Sequence, residues 1–595
     1  MDFRKLIEQL HRRNVFKATL AYLAVAWVVV QIASIVLPTF DAPDYALKIV
    51  IYLLVLGLIF WVIFSWIYDL TPQGFRKTSE VEIDEETIRL TNRRLNNVIV
   101  GSIVLAVILL ISVSFWAGSK WSSGEFSGRN YRVAILPMTD LTQTNDSVYF
   151  SSGLTDAFIT ELSKVDQFTI LHQSSSKKFT PDVSAANLLI LEQLKQIDYF
   201  ISGTIERRVN TIEVKLELKE AIDSDEVIWS KKYSKDITQV KSLFAEAVVD
   251  ISAEMEIDVD IENNLQLTKI RQVRPETYEL YLKGKYYLGK STPAEFQKGM
   301  AFLQQAIDQN PADPDAYAGL AEGYITLGHG PDPPPDVFPK ALAAAKRAIQ
   351  LDSLNAEGWA ALAHYHTYFG MDWKLAEYAF EKADLLNPNM AYNHYHRSWY
   401  LVLFGRMNEA IEEHKRAQEL DPFTPMHTAF LAEIYRMVGE YDKGLAELDK
   451  VRHMDDNYAI EKVIRGLIYV DQGREEEGFK LLRQAYSILP VWRYWGYGMA
   501  LTRRSANFDE AKEVISELEA ATPSGFVNLC LGMINAELGQ KAEAIKWLAK
   551  ENRHGGYPWI RIYINNEGVR KDPRFLELIS DMNLPYPAPL KYDPE

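Results

Sequence analysis

The side chains of this chain best suited to chemistry are two histidine pairs, one cysteine and one run of hydroxyls. The pairs are His364-Tyr-His366 and His394-Tyr-His396. Imidazole is a common ligand for transition metals, so two neighbouring pairs invite a metal reading. On a helix, however, residues i and i+2 point ~200° apart, so both members of a pair cannot hold one ion. A site taking one histidine from each helix would still lack a carboxylate or cysteine at ligand spacing. The expectation is no metal and no cofactor. Cys530 stands between Leu529 and Leu531 and reads as a buried small apolar residue. A single cysteine excludes a disulfide framework, a multi-Cys zinc site and an iron–sulfur cluster. Ser174-Ser175-Ser176 has no glycine-flanked elbow and no partnered histidine, and reads as a turn. The sequence holds no Walker A loop, no Gly-x-Gly-x-x-Gly before a helix, no HExxH and no EF-hand loop. These residues argue against an enzyme.

The elements that carry the histidines are more informative. From about residue 276 a period near 34 appears. Small residues recur at Ala306, Ala348, Ala383, Ala417, Val451 and Ala485, spaced by 42, 35, 34, 34 and 34. Five residues after each stand Pro311, Ser353, Pro388, Pro422, Asp456 and Pro490. Small residues let paired helices approach closely, and proline ends each hairpin. Leu320-Ala321…Tyr324, Trp359…Leu362-Ala363, Leu431-Ala432…Tyr435 and Gly466…Tyr469 resemble the first-helix pattern of tetratricopeptide repeats (TPR). Leu531-Gly532 with Ala544 adds an eighth, weaker copy, after a degraded seventh near 491–523. The resemblance implies about eight repeats over 270–555, with 556–595 as a C-terminal cap. It also implies a right-handed superhelix whose concave face is lined by first helices. Mapped onto this chain, the inward positions are Lys285, Glu322, His364, Thr367, Trp399, Glu433, Arg436 and Leu467. Such a mixture of charge and aromatic surface implies a protein or peptide partner rather than a metabolite. The single long spacing coincides with GPDPPPDVFP at 330–339, which reads as a polyproline insertion.

Before the repeats, Tyr131-Arg-Val-Ala-Ile-Leu opens a strand, and Leu154, Phe158 and Leu162 recur at helical spacing. Further strands are expected at 167–172, 198–206, 211–221 and 226–233, with helices at 185–196 and 240–256. In the strand from 211, Ile212, Val214, Leu216 and Leu218 alternate with polar residues, the pattern of a half-buried antiparallel strand. The order β-α-β-α-β-β-β-α makes one α/β domain over 130–260. The segments VAILPMTDLT, YFSSGLTDAFITELSKV, DYFISGTIERR and VIWSKKYSKD resemble the TolB amino-terminal-like (FlgO-type) domain. That resemblance implies structural roles for Gly153, Tyr199, Gly203 and Trp229, including a glycine at a strand–helix turn and a tryptophan packed on the sheet. It implies no catalysis.

Residues 18–37, 49–68 and 98–117 contain no Asp, Glu, Lys or Arg. Twenty residues at ~1.5 Å rise span a ~30 Å hydrocarbon core, so each run reads as a membrane-spanning helix. Arg4, Lys5, Arg12, Arg13 and Lys17 precede the first run, and Arg76, Lys77, Arg89, Arg93 and Arg94 lie between the second and third. The positive-inside rule then puts residues 1–17 and 69–97 in the cytoplasm and everything from 118 onward outside, in a bacterium the periplasm. Phe3, Leu6, Ile7 and Leu10 make 1–17 an amphipathic segment with a basic face, and 119–129 is a small polar linker. RRNVFK…AYLAVAWVVVQIASIVLP and DLTPQGFRKT also resemble a proteobacterial membrane module. The net charge is −16, with Lys plus Arg at 64 against 80 for Asp plus Glu. The excess belongs to the region after residue 128, which makes nucleic acid an unsuitable partner for it.

Together these features describe a multidomain membrane protein: an α-helical transmembrane module, a small α/β domain and an all-α TPR superhelix. The expected function is a non-catalytic scaffold, anchored in the inner membrane, that binds protein partners through its concave groove. Two rivals remain. The α/β domain followed by helical repeats resembles the periplasmic half of CadC-type regulators, although their winged helix is missing, so a sensor in a signalling system is the first. An enzyme of cyclase type is the second, because related modules occur fused to cyclase domains.

Overall fold

A computed structural model describes residues 130–142, 147–179, 195–208, 210–221, 227–257, 272–290, 292–329, 336–489, 508–520, 525–552, 559–564 and 566–584. It also describes two short strands at 68–71 and 74–77, and isolated helical positions between 19 and 58. The chain divides into two units, Met1–Gly128 and Arg129–Glu595. In the first, β1 (Tyr68–Thr71) pairs antiparallel with β2 (Gly74–Lys77). The Tyr22 hydroxyl donates to the Leu54 carbonyl at 2.8 Å, which ties the first charge-free run to the second. Among the described residues no helix is long and apolar enough to cross a membrane. The three charge-free runs lie almost wholly outside the described residues.

The second unit opens with the expected α/β domain. Its elements are β3 (Tyr131–Ile135), β4 (Thr139–Asp140), α1 (Ser147–Leu162), β5 (Phe168–Ile170), α2 (Gln173–Ser176), β6 (Tyr199–Arg207), β7 (Thr211–Glu220), β8 (Val227–Asp236) and α3 (Val240–Glu254). The sheet runs β5-β3-β6-β7-β8, with β4 beside β6. The β3 pairings with β5 and β6 are parallel, and β6-β7-β8 form an antiparallel meander. Ile212, Val214, Leu216 and Leu218 of β7 are fully buried, and Phe158 of α1 meets Phe244 of α3 at 5.4 Å above them. Trp229 of β8 packs at the margin of this core. The helix expected at 185–196 lies outside the described residues apart from its last positions.

Two expectations need correction here. Gly153 is not at a strand–helix turn. It lies inside α1, where a Cβ would stand 2.9 Å from the Leu282 Cβ of the first repeat helix. Ser174-Ser175-Ser176 is not a bare turn either, but part of the single helical turn α2.

The repeats follow as antiparallel hairpins: α4 (Pro275–Leu288) with α5 (Pro293–Gln309), α6 (Pro314–Gly328) with α7 (Val337–Leu351), α8 (Ala356–Tyr365) with α9 (Trp373–Leu386), and α10 (Ala391–Leu403) with α11 (Met407–Leu420). Next come α12 (Pro425–Met437) with α13 (Tyr441–Met454), α14 (Ala459–Asp471) with α15 (Glu475–Ile488), then α16 (Phe508–Ala520), and α17 (Gly525–Glu537) with α18 (Lys541–Asn552). Three short helices close the chain: α19 (Ile560–Tyr563), α20 (Glu567–Arg570) and α21 (Pro573–Asp581). Ala306, Ala348, Ala383, Ala417, Val451 and Ala485, the residues that set the period, have no exposed surface. They are where the two helices of a hairpin meet, and a larger side chain there would push them apart. Gly405, Gly439 and Gly473 make the turn inside successive hairpins at φ of +73, +80 and +79°. Met371 holds the matching turn one repeat earlier at φ 50°, after a π-helical turn over His366–Gly370. Val337, Phe338 and Pro339, expected in the proline-rich insertion, belong to α7, and residues 330–335 lie outside the described residues.

Candidate functional site

The inward positions implied by the repeat pattern sit on the first helices of successive hairpins, and the structure buries all but two of them. Lys285 reaches Glu322 at 2.9 Å and Glu357 at 3.7 Å. Burial works against the Lys285 ammonium, yet these two carboxylates outweigh it and hold its pKa above the usual value. Thr367 is fully buried and donates to the Ala363 carbonyl at 2.9 Å. Trp399 is 4% exposed and lies edge-on to Phe430 at 5.5 Å. Glu433 and Arg436 form a buried pair with 2.7 Å contacts, and Arg436 also reaches Asp471 at 2.8 Å. Leu467 belongs to the core. Of the eight positions, Lys285 and Glu322 alone keep more than a tenth of their side chains exposed.

His364 sits where three first helices converge. Its Nδ1 lies 2.8 Å from the Tyr392 hydroxyl, and its Nε2 lies 2.7 Å from Nε2 of His329. The His364 and His396 rings approach to 3.5 Å between centroids. The i, i+2 geometry holds: His394 turns away to Glu413 at 2.7 Å, and both ring nitrogens of His366 lack a hydrogen-bond partner among the described residues. One histidine from each pair therefore does meet, joined by His329, which the sequence reading missed. The signal for His329 was available in principle, since it ends α6 one repeat before His364. Burial depresses the His364 pKa, aided by His396 and His329, so the cluster is neutral. No group of three or more His, Cys, Asp or Glu among the described residues is arranged to hold a metal ion. Cys530 is fully buried, and burial pushes its thiol pKa up. That environment suits packing, not nucleophilic chemistry.

What covers the first half of the concave face is the α/β domain. Tyr149 donates to Glu279 of α4 at 2.7 Å, and Asn389 accepts from the Ile170 amide at 3.2 Å while donating to the Ser163 carbonyl at 3.0 Å. A polar contact centres on Asp421, which accepts from Ser174 at 2.7 Å, from Ser175, and from Thr424 at 2.6 Å. Phe179 meets Phe423 at 5.6 Å beside it. Burial alone would raise the Asp421 pKa, but His172, His427, Ser175 and Thr424 outweigh it and hold the carboxyl below its usual range. The serine run is thus a docking element. Asp421→Asn keeps the shape but removes the charge, and should cost about 2 kcal/mol, the usual scale for hydrogen bonds to an ionised acceptor. Chemical denaturation of the full chain reads the loss, and a cost near zero would mean the domain is not held there. A cavity of about 120 Å³ remains between α1 and the first helices, lined by Asp156, His172, Lys285, Glu322, Glu357 and Tyr392 among others. That is well below the ~300 Å³ at which pockets begin to take metabolites.

The chain's own residues 559–584 reach over the third and fourth hairpins from the other side. Trp559 lies edge-on to Trp399 at 5.2 Å and 5.5 Å from Tyr368. Arg561 donates to the Leu403 carbonyl at the end of α10, and Trp373 Nε1 donates to the Met582 carbonyl at 2.7 Å. Phe575 and Ile579 of α21 complete the same hydrophobic cluster.

No protein-family model matches this chain. The chain is similar to a Rhizobium meliloti protein that carries an adenylate cyclase name, 22% identical over 248 residues, covering 40% of each. It is also similar to the transcriptional regulator HilA of Salmonella typhimurium, 28% identical over 144 residues, covering 24% of this chain and 26% of that protein. The chain thus spans at most 40% of the length of these curated relatives. Among solved structures, a TPR protein of Thermus thermophilus is 22% identical with a TM-score of 0.28, covering 33% of this chain and 99% of that one. By their own geometry, helical hairpins at a period near 34, the repeats form a TPR-like all-helical fold.

Proposed function

We propose that the chain is a non-catalytic scaffold that binds protein partners through the concave face of its TPR-like repeats. The observation that supports this most directly is what that face holds already: a polypeptide segment, seated on Trp399 and Tyr368, whose Arg561 guanidinium donates to the Leu403 main-chain carbonyl at a helix end. A surface of this kind recognises polypeptide by many shallow contacts on a preformed scaffold. In the same reading the chain is anchored in a bacterial inner membrane by residues 18–37, 49–68 and 98–117, its α/β domain is TolB-like, and 118–595 lie in the periplasm. The runs without charge and the basic residues flanking them support that placement. The partial likeness to HilA favours one second reading, in which the same scaffold is the sensing half of a regulatory system.

Crosslinking in intact cells, followed by purification through a carboxy-terminal tag and mass spectrometry, tests the proposal. The expected result is a reproducible protein partner joined to first helices of the repeats, captured equally by membrane-impermeant and permeant reagents. Capture by the permeant reagent alone would overturn the periplasmic placement and leave the scaffold standing. No partner, or crosslinks confined to second helices, would overturn the scaffold.

A further inference from the structure

A repeat array needs a polar surface over each of its terminal hairpins. At the far end α21 closes the array, burying Phe575 and Ile579 in its hydrophobic cluster. The first hairpin is finished differently. α1 packs against α4, where Leu282 joins the core of the α/β domain. Beside that contact Tyr286, Tyr287 and Phe302 lie half-buried, and among the described residues none of them joins a buried hydrophobic cluster. Tyr287 stacks on Phe302 at 5.7 Å and meets Tyr286 edge-on at 5.2 Å.

What lies over these rings is cationic. Lys298 Nζ stands 4.0 Å over the Tyr287 ring and donates to its hydroxyl at 2.9 Å. Lys290 Nζ stands 4.7 Å over Tyr286, and Lys283 Nζ stands 4.7 Å over Tyr149 and 6.0 Å from Phe302. Arg207 extends the row, since Glu279 accepts from it at 3.2 Å and from Lys283 at 3.1 Å. Lys177 adjoins the other end: burial lowers its pKa, Asp156 opposes the fall, and Lys290 adds to it. Five cations thus face three carboxylates, Glu279, Asp156 and Glu295, on one continuous surface. Lys177 and Lys298 are exposed, and Lys283 and Arg207 keep 23% and 33% of their side chains in solvent.

Ammonium groups riding on half-buried aromatic rings are the composition of a membrane interface. There the ring settles at headgroup level, and the lysine stem carries its charge out to the phosphate. The tether is short as well. Residues 118–130 separate the third charge-free run from β3, and fully extended they span at most ~45 Å. We propose that the face carrying Lys283, Lys290 and Lys298 rests on the membrane surface, its lysines on the phosphates of anionic lipid and its rings among the headgroups. This rests on the anchored placement above and not on the groove. It fixes the array to the membrane at its first hairpin.

The test is a lysine footprint of the full chain reconstituted in phosphatidylglycerol or in phosphatidylcholine vesicles. A membrane-impermeant acetylating reagent is applied, and the rate at each lysine is read by mass spectrometry. Lys283, Lys290 and Lys298 should react about fivefold more slowly in phosphatidylglycerol. The difference should vanish at ~1 M salt, where the screening length falls to ~3 Å. Lys550, which also lies over a ring at 3.5 Å, is the control and should react equally in both lipids. Lys290→Glu with Lys298→Glu should restore Lys283 to its phosphatidylcholine rate while the urea midpoint holds. If that variant unfolds, the two lipids compared on the unaltered chain decide the matter. Equal rates in both lipids, slowing that includes Lys550, or slowing at Lys283 that survives in a folded variant overturns the inference. Extraction with alkaline carbonate tests the anchor separately. A chain released by carbonate yet slowed at these lysines would sink the anchored placement alone. A chain retained with equal rates would sink this inference alone.

Discussion

Between pH ~7 and pH ~5 the repeats are expected to lose several kcal/mol of stability, more than any single substitution removes. Five imidazoles lead the effect, and His366, also lowered by burial, adds to it. His329 is pulled down to about 4, His414 to about 3 and His427 to about 4, each by burial first, while His364 and His396 lie well below 6.5. The sign follows from where the protons go. In the unfolded chain these histidines take up protons as the pH falls through ~6.5, whereas in the fold they remain neutral until the lower values are reached. Their contribution is complete above ~6.5 and is lost progressively below it, by up to ~1.4 kcal/mol per group for each pH unit. Geometry gives the same answer, because the 2.7 Å contact between His329 and His364 needs one bare nitrogen, and a second proton would set two N–H groups against each other. Glu357, raised by burial, works in the opposite sense, but it is one group against five. Asp421 loses its contribution only below its normal carboxyl range, outside this interval. Urea midpoints at the two pH values, with hydrogen exchange over α8–α12, measure the effect. His364→Leu with His396→Phe should flatten the slope markedly. An unchanged midpoint would mean the histidines are solvated.

The repeat period shows why part of this protein is legible in one dimension. Ala306, Ala348, Ala383, Ala417, Val451 and Ala485 mark contacts between neighbours in the chain, so helix–helix packing leaves a fixed-interval trace. The alternation in β7 is just as local. The candidate site is not. Trp399 obeys the repeat rule and points inward, yet what it meets is Trp559, from a segment with no period of its own. Asp421 and Ser175 are joined across 246 residues, and nothing in the serine run foretells the carboxylate it binds. Gly153 looks like a turn glycine because only tertiary packing against Leu282 reveals its purpose. Periodicity locates a surface, whereas occupancy of that surface depends on contacts between distant segments.

Arg436→Ala should cost about 3–5 kcal/mol, because it breaks a buried ion pair from one side only. The guanidinium of Arg436 makes two parallel 2.7 Å contacts to Glu433 on its own helix and a 2.8 Å contact to Asp471 on the first helix of the next hairpin. Glu433 has no exposed surface, and Asp471 has 4% of its side chain exposed. Burial opposes the charge on Arg436, but Glu433 outweighs it and the pKa stays raised. Removing the arginine leaves the Glu433 carboxylate in a dry site without its guanidinium, and the loss is that desolvation rather than the worth of the pair. Replacing the whole set, with Arg436→Met, Glu433→Leu and Asp471→Leu, should therefore cost far less than the single change, since no charge remains to be buried. Chemical denaturation of the three chains separates the cases. Should Arg436→Ala cost under about 1 kcal/mol, the scale of a solvent-screened surface pair, Arg436 would have to be reassigned to an open groove. A large cost for the single change with a small cost for the triple would make this residue a rivet between adjacent hairpins, holding the curvature of the face on which Trp559 sits.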